Sequence, residues 1–170
     1  MPTRHHSTAA PRLELIAIAA ALAAIAAAAF LLLRPGPGEA AQTRGPIVST
    51  ASTSLGRILV NSSGRTLYLF GKDKNGKSAC SGMCASFWPP LIATGGKPRA
   101  AGSAKASLLG TTKRADGRLQ VTYNHHPLYT FKQDTTKGQT NGEGLNAFGA
   151  RWYAVSPAGA KVVRSGGGGY

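Results

Sequence analysis

Acidic residues are what this chain has least of. Only 6 Asp and Glu stand against 20 Lys and Arg in 170 residues, a formal charge of +14. Hydrolytic chemistry outside the cell requires a carboxylate pair, a nucleophile with its base, or a metal cluster, and acids this sparse do not supply the first. Four lie beyond residue 56: Asp73, Asp116 and Asp134 in turn-like stretches, and Glu143 in a glycine-rich loop. No Ser or Thr stands in a nucleophile-elbow context, so catalysis is the class the sequence supports least. Cysteine is scarcer still. Cys80 and Cys84 are the whole complement, and their spacing fits neither a C-x-x-C redox motif nor C-x-x-C-H haem attachment.

What is abundant is basic charge, spread along the chain and not gathered in one arm. That distribution reads as a generally basic surface and not as a nucleic-acid arm. It implies anionic partners such as lipid head groups or envelope polymers, or simply a soluble basic coat.

Compartment is set by the N-terminal segment. Leu15 to Leu33 is an unbroken run of 19 apolar residues, near the ~20 that cross a bilayer and longer than the usual signal-peptide core. Arg4 and Arg12 precede it and Arg34 follows, so the positive-inside tendency places the N-terminus in the cytoplasm and the rest outside. Residues 1–34 are expected to be a signal peptide or a signal anchor, with a small-x-small site at Gly38-Glu39-Ala40 if cleaved. Residues 35–56, rich in Pro, Gly, Ser, Thr and Ala, read as a flexible linker. The location is extracytoplasmic either way, with membrane contact through the N-terminal helix if it is retained.

The remainder is organised by a repeat. Leu67-Tyr68-Leu69-Phe70-Gly71-Lys72-Asp73 and Leu128-Tyr129-Thr130-Phe131-Lys132-Gln133-Asp134 both read L-Y-x-F-x-x-D, 61 positions apart. Trp88, Leu91, Gly95 and Lys97 are matched by Trp152, Val155, Gly159 and Lys161. Self-similarity at a fixed offset marks one structural unit used twice. The doubled motif resembles a bacterial family of secreted and lipid-anchored repeat proteins of unknown function, with the signature Y-x-[FWY]-x-x-D, over roughly residues 55 to 163. The resemblance implies a fold unit and an exported address, but no activity. Lipid-anchored members carry a Cys just after the apolar run; this chain has none before Cys80, which argues against a lipoprotein.

The strand signals give an all-β domain over residues 57–164, with two pseudo-repeats at about 57–97 and 118–161 and a Gly-rich tail, 165–170, expected to be disordered. Its hairpins are expected to share one core as a small sandwich or closed sheet, the N-terminal segment being the one helix. A hairpin is predicted from Arg57–Val60 to Thr66–Phe70 across Asn61-Ser62-Ser63-Gly64. In its second strand Tyr68 and Phe70 fall on one face, Leu67 and Leu69 on the other. A strand at 118–123 alternates so as to leave Arg118, Gln120 and Thr122 on a wet face. Trp88 leads a segment whose Pro89-Pro90 suits only an edge. A last hairpin joins Trp152 and its neighbours to Lys161–Val163.

Asp73 and Asp134 sit where a carboxylate caps its own turn, with cation ligation the sharper option. Cys80 and Cys84 in an exported chain are expected to close a small structural disulfide. The competing reading is a copper or thiol-redox site with Met83, His125 and His126 as further donors; otherwise His125 and His126 are turn residues. The expectation is therefore a non-catalytic, envelope-associated module without cofactor or nucleic-acid partner, meeting anionic envelope polymers or other exported proteins. The alternative is an extracytoplasmic copper or electron-transfer accessory.

Overall fold

The computed structural model describes residues 45–163. The expected signal segment, the first part of the linker and the 165–170 tail lie outside the described residues. The described chain is mostly β. Its strands are β1 (Ile47–Thr53), β2 (Gly56–Asn61), β3 (Tyr68–Phe70), β4 (Arg99–Ala100), β5 (Leu109–Lys113), β6 (Leu119–Tyr123), β7 (His126–Pro127), β8 (Asn146–Ala147) and β9 (Ala150–Ala154). In place of one sandwich or closed sheet they form three three-stranded sheets, ordered β2-β1-β4, β3-β9-β8 and β5-β6-β7. Glycine- and proline-rich turns keep most strands short, and single bridges join them, among them Tyr68 to Tyr129 and Ile92 to Gln120.

Three expectations are corrected. Residues 47–53 belong to β1 and not to the linker; its Ser and Thr resemble linker composition, but β-branched residues suit a strand, and β1 pairs with β2 from Val48↔Asn61 to Thr53↔Gly56. A short helix, α1 (Met83–Phe87), and a 3-10 turn at Ala106–Leu108 stand among the strands. The strand at 118–123 has no wet face: Gln120 and Thr122 are buried, while Leu119 is exposed. Gln120 tolerates burial because its amide donates to Leu128 O at 2.8 Å and its Oε1 accepts from Arg114 at 2.6 Å.

The predicted hairpin from β2 to β3 closes at its turn, where Asn61 N–H donates to Arg65 O and Leu67 N–H to Leu59 O. The partner along β3, however, is β9, with Tyr68↔Ala154 and Phe70↔Trp152 in register. The final hairpin closes by a Val155↔Lys161 bridge. Both faces of β3 are covered, as its pattern implies. Tyr68 and Phe70 enter one hydrophobic cluster with Trp88, Tyr129, Phe131 and Trp152, and Leu67 and Leu69 enter a second with Val121 and Leu128.

The two copies are interleaved. The motif strand of the first copy pairs with the Trp segment of the second, and the reverse holds through Leu91 N–H to Leu128 O and Thr130 N–H to Pro89 O, both 2.9 Å. Two further bonds match: Gly71 N–H to Arg151 O and Lys132 N–H to Phe87 O, each 2.9 Å. The copies meet where Tyr68 and Tyr129 exchange backbone hydrogen bonds of 2.8 and 3.0 Å.

Candidate functional site

At this junction the repeated motif forms reciprocal contacts. Tyr68 Oη donates to Asp134 Oδ2 at 2.6 Å, and Tyr129 Oη donates to Asp73 Oδ2 at 2.8 Å. Each tyrosine therefore reaches the aspartate of the other copy. The second carboxylate oxygen caps the loop that follows: Asp73 Oδ1 accepts from Ala79 N–H at 2.7 Å and Asp134 Oδ1 from Asn141 N–H at 3.0 Å. The turn-cap expectation accounts for one oxygen of each pair, and the cross-copy bond accounts for the other.

Between the pairs stand four rings in one stack. Phe70 lies 4.0 Å from Trp152, Trp152 lies 3.9 Å from Trp88 at 3° between planes, and Trp88 lies 4.2 Å from Phe131. Tyr68 meets Trp88 edge-on and Tyr129 meets Trp152 edge-on, at 5.3 and 5.1 Å. Stacked and edge-on pairs are both favourable ring geometries. Gly142 packs against this stack, where a Cβ would fall 2.7 Å from the Trp88 ring. Its N–H also donates to Tyr68 Oη at 3.3 Å, so no larger residue fits.

The sequence reading missed Arg114. Its buried guanidinium donates to Ser78 Oγ, Gln120 Oε1 and Cys80 O at 2.8, 2.6 and 2.7 Å, and pairs with Asp116 at 3.3 Å. Ser78 Oγ also lies 2.8 Å from Tyr129 Oη, to which its own hydroxyl can donate while Tyr129 donates to Asp73, linking this hub to the Tyr129–Asp73 pair. A lone Arg in a turn carries no local signal of burial.

Burial raises the carboxyl of Asp73 to about 6, against the opposing pull of the Ala79 amide, the Tyr129 hydroxyl and Arg114. Asp134 is raised by the same cause, and burial pushes both tyrosine hydroxyls up. A carboxyl that binds its proton more tightly folded than unfolded favours folding most below the unfolded carboxylate range. That contribution is lost as pH rises through about 6. Asp73→Asn is therefore expected to flatten the fall in stability between about pH 4 and 7, measured by urea unfolding; parallel curves for variant and parent would overturn the assignment.

Cys80 and Cys84 are joined in a disulfide, their Cα atoms 5.3 Å apart and both residues buried. It closes the loop into α1, where Trp88 N–H donates to Cys84 O at 2.8 Å. His125 is exposed with φ +65°, in a two-residue turn with Asn124 at φ +46°. His126 follows half-buried in β7, its imidazole held below its ordinary pKa by burial and by His125. The histidines line a cavity of about 310 Å³ with Asp73 and Asn75, whereas Cys80 borders a different one with Arg114 and Asp116. The structure thus does not assemble the copper candidates Cys80, Met83, Cys84, His125 and His126. Among the described residues no group of three or more His, Cys, Asp or Glu is placed to hold a metal.

One more cavity, about 280 Å³, is lined by Phe87, Trp88, Phe131, Leu145 and Phe148. The sequence shows these aromatics but not that they meet. Comparison with curated proteins and with solved structures found no match. A family model described as a secreted repeat of unknown function matches residues 49–92 and 110–156. Each match begins one strand earlier than the repeat boundaries at 57 and 118, taking in β1 in the first copy and β5 in the second. With more than half of its length in those two matches, the chain belongs to this secreted repeat family, and the interleaved tyrosine–aspartate junction is how its two copies fold together.

Proposed function

We propose that this protein is a non-catalytic, extracytoplasmic interaction module of the envelope, working through its basic surface on anionic polymers, lipids or acidic exported proteins. The observation that carries this reading is the employment of its acids. Asp73 and Asp134 serve the junction, Asp116 holds Arg114 and Arg118, and Glu143 Oε2 accepts from Ala154 N–H at 2.6 Å. Four carboxylates with structural partners, against the 15 Lys and Arg of residues 45–163, leave a surface whose dominant chemistry is cationic. The carboxylates of both tyrosine–aspartate pairs are taken up by hydrogen bonds to tyrosine hydroxyls and backbone N–H groups of the fold.

The copper or thiol-redox alternative finds less support. It needs Cys80 and Cys84 as thiolates with histidine or methionine beside them, and the paired cysteines and separate histidine cavity do not favour that set.

Exposed charge interactions are screened within roughly 10 Å at 0.1 M salt. The protein is therefore expected to be retained on anionic wall and lipid preparations at low salt and released at high salt. Retention that ignores salt, or no retention at all, would overturn this reading.

A further inference from the structure

The loops where the two copies differ are also where large apolar side chains are left in solvent. In the first copy the disulfide loop leads into α1, which presents Met83 and Phe87, 72% and 40% exposed. They stand four apart and so share a helix face. In the second copy the glycine-rich loop and the β8–β9 hairpin present Leu145 and Phe148, 40% and 38% exposed. Phe87, Leu145 and Phe148 line one cleft, with the rings of Phe87 and Phe148 at 6.1 Å. The residue matching Phe87 in the second copy is Arg151, so this apolar position is not repeated.

Phe148 is held there by an unfavourable backbone. It and Gly149 form the two-residue turn between the paired Ala147 and Ala150, and Phe148 takes φ +58°. A bulky side chain rarely adopts that region, and such outliers cluster at functional positions. Cations flank the apolar tip. Lys132 Nζ lies 5.9 Å over the Phe87 ring, and Lys72 Nζ lies 3.6 Å from where a Cβ on Gly149 would stand. No acid lines the cleft; the nearby Asp134 and Glu143 accept hydrogen bonds from Tyr68 and Ala154.

From this arrangement we infer that the Met83–Phe87–Leu145–Phe148 tip, with Lys72 and Lys132, is a docking face for an anionic lipid bilayer. The inference rests on the basic-surface reading above and gives that surface a defined partner. Apolar side chains entering the head-group boundary while Lys ammonium groups stay with anionic head groups use both halves of the patch. A soluble polyanion would satisfy the lysines alone and leave the phenyl rings in water. The sequence also places an apolar run only eleven residues before Gly45, at most about 40 Å of extended chain, so a domain tethered by it would work within reach of a membrane.

The test uses the full chain in vesicles, with an environment-sensitive fluorophore on Leu145→Cys, whose side chain serves no hydrogen bond in the fold. Phosphatidylglycerol-containing vesicles carrying brominated acyl chains are expected to quench the probe, and pure phosphatidylcholine vesicles are not. Lys72→Glu with Lys132→Glu, both at exposed positions, should reduce the quenched fraction on the order of tenfold, and Phe148→Ser should reduce it as well. A probe that stays in water while the chain is still retained, salt-dependently, on anionic wall polymer would overturn membrane docking and leave the basic-surface reading standing. Protection of the probe by dimerisation without lipid would also overturn it. Loss of all salt-dependent retention would remove both.

Discussion

Trp152→Ala is expected to lower the unfolding free energy by roughly 3–5 kcal/mol, and Trp88→Ala by a similar amount. Each indole is fully buried and sandwiched between two rings, so truncation leaves a cavity that no rigid neighbour can collapse to fill. The loss would not stay within one copy. Trp152 packs on Phe70 and Trp88 of the first copy, and Trp88 packs on Phe131 of the second. Trp152→Phe keeps an aromatic surface in the stack and should cost distinctly less. Urea midpoints, with the denaturant slope monitored, measure both. A cost below about 1 kcal/mol for the alanine variants would show that the stack is not the joint between the copies.

The second large effect concerns the cross-copy bonds. Asp134→Ala leaves the buried Tyr68 hydroxyl without its acceptor, at roughly 1–3 kcal/mol, and also removes the cap on the N–H of the exposed Asn141. Tyr68→Phe should cost less, and a double-mutant cycle between them should show coupling, since the two groups touch. Asp73→Ala should cost less than Asp134→Ala. Tyr129 Oη keeps Ser78 Oγ at 2.8 Å as a second partner, and Asp73 is less deeply buried than the fully enclosed Asp134. The reverse order, or no coupling, would sink the assignment of these bonds as the link between repeats.

How legible each part was depended on whether its cause was local. The faces of β3 followed from alternation, because a strand's side chains point to opposite sides with a period of two. The disulfide followed from two cysteines four apart in an exported chain. The turn at Asn124-His125 was visible as a turn, and both residues take positive φ there. β1 was hidden because Ser and Thr serve linkers and strands alike, and only its pairing with β2 and β4 decides between them. Gln120 was assigned to solvent because alternation cannot see that Arg114 and Leu128 O wait for its amide.

By itself, then, the sequence determined that one unit is used twice, which residues of the unit are apolar on both faces, and that the family's address is outside the cell. Those properties reside in spacing and composition, which need no partner to be read. Only the tertiary structure decided that each motif strand pairs with the other copy's Trp segment and that each tyrosine bonds the other copy's aspartate. The same holds for the meeting of the two divergent loops in one cleft. Two equivalent copies offer equivalent partners within and across the repeat. The choice between them is made by packing the four rings into one stack, a contact between residues more than 60 positions apart that no local pattern encodes.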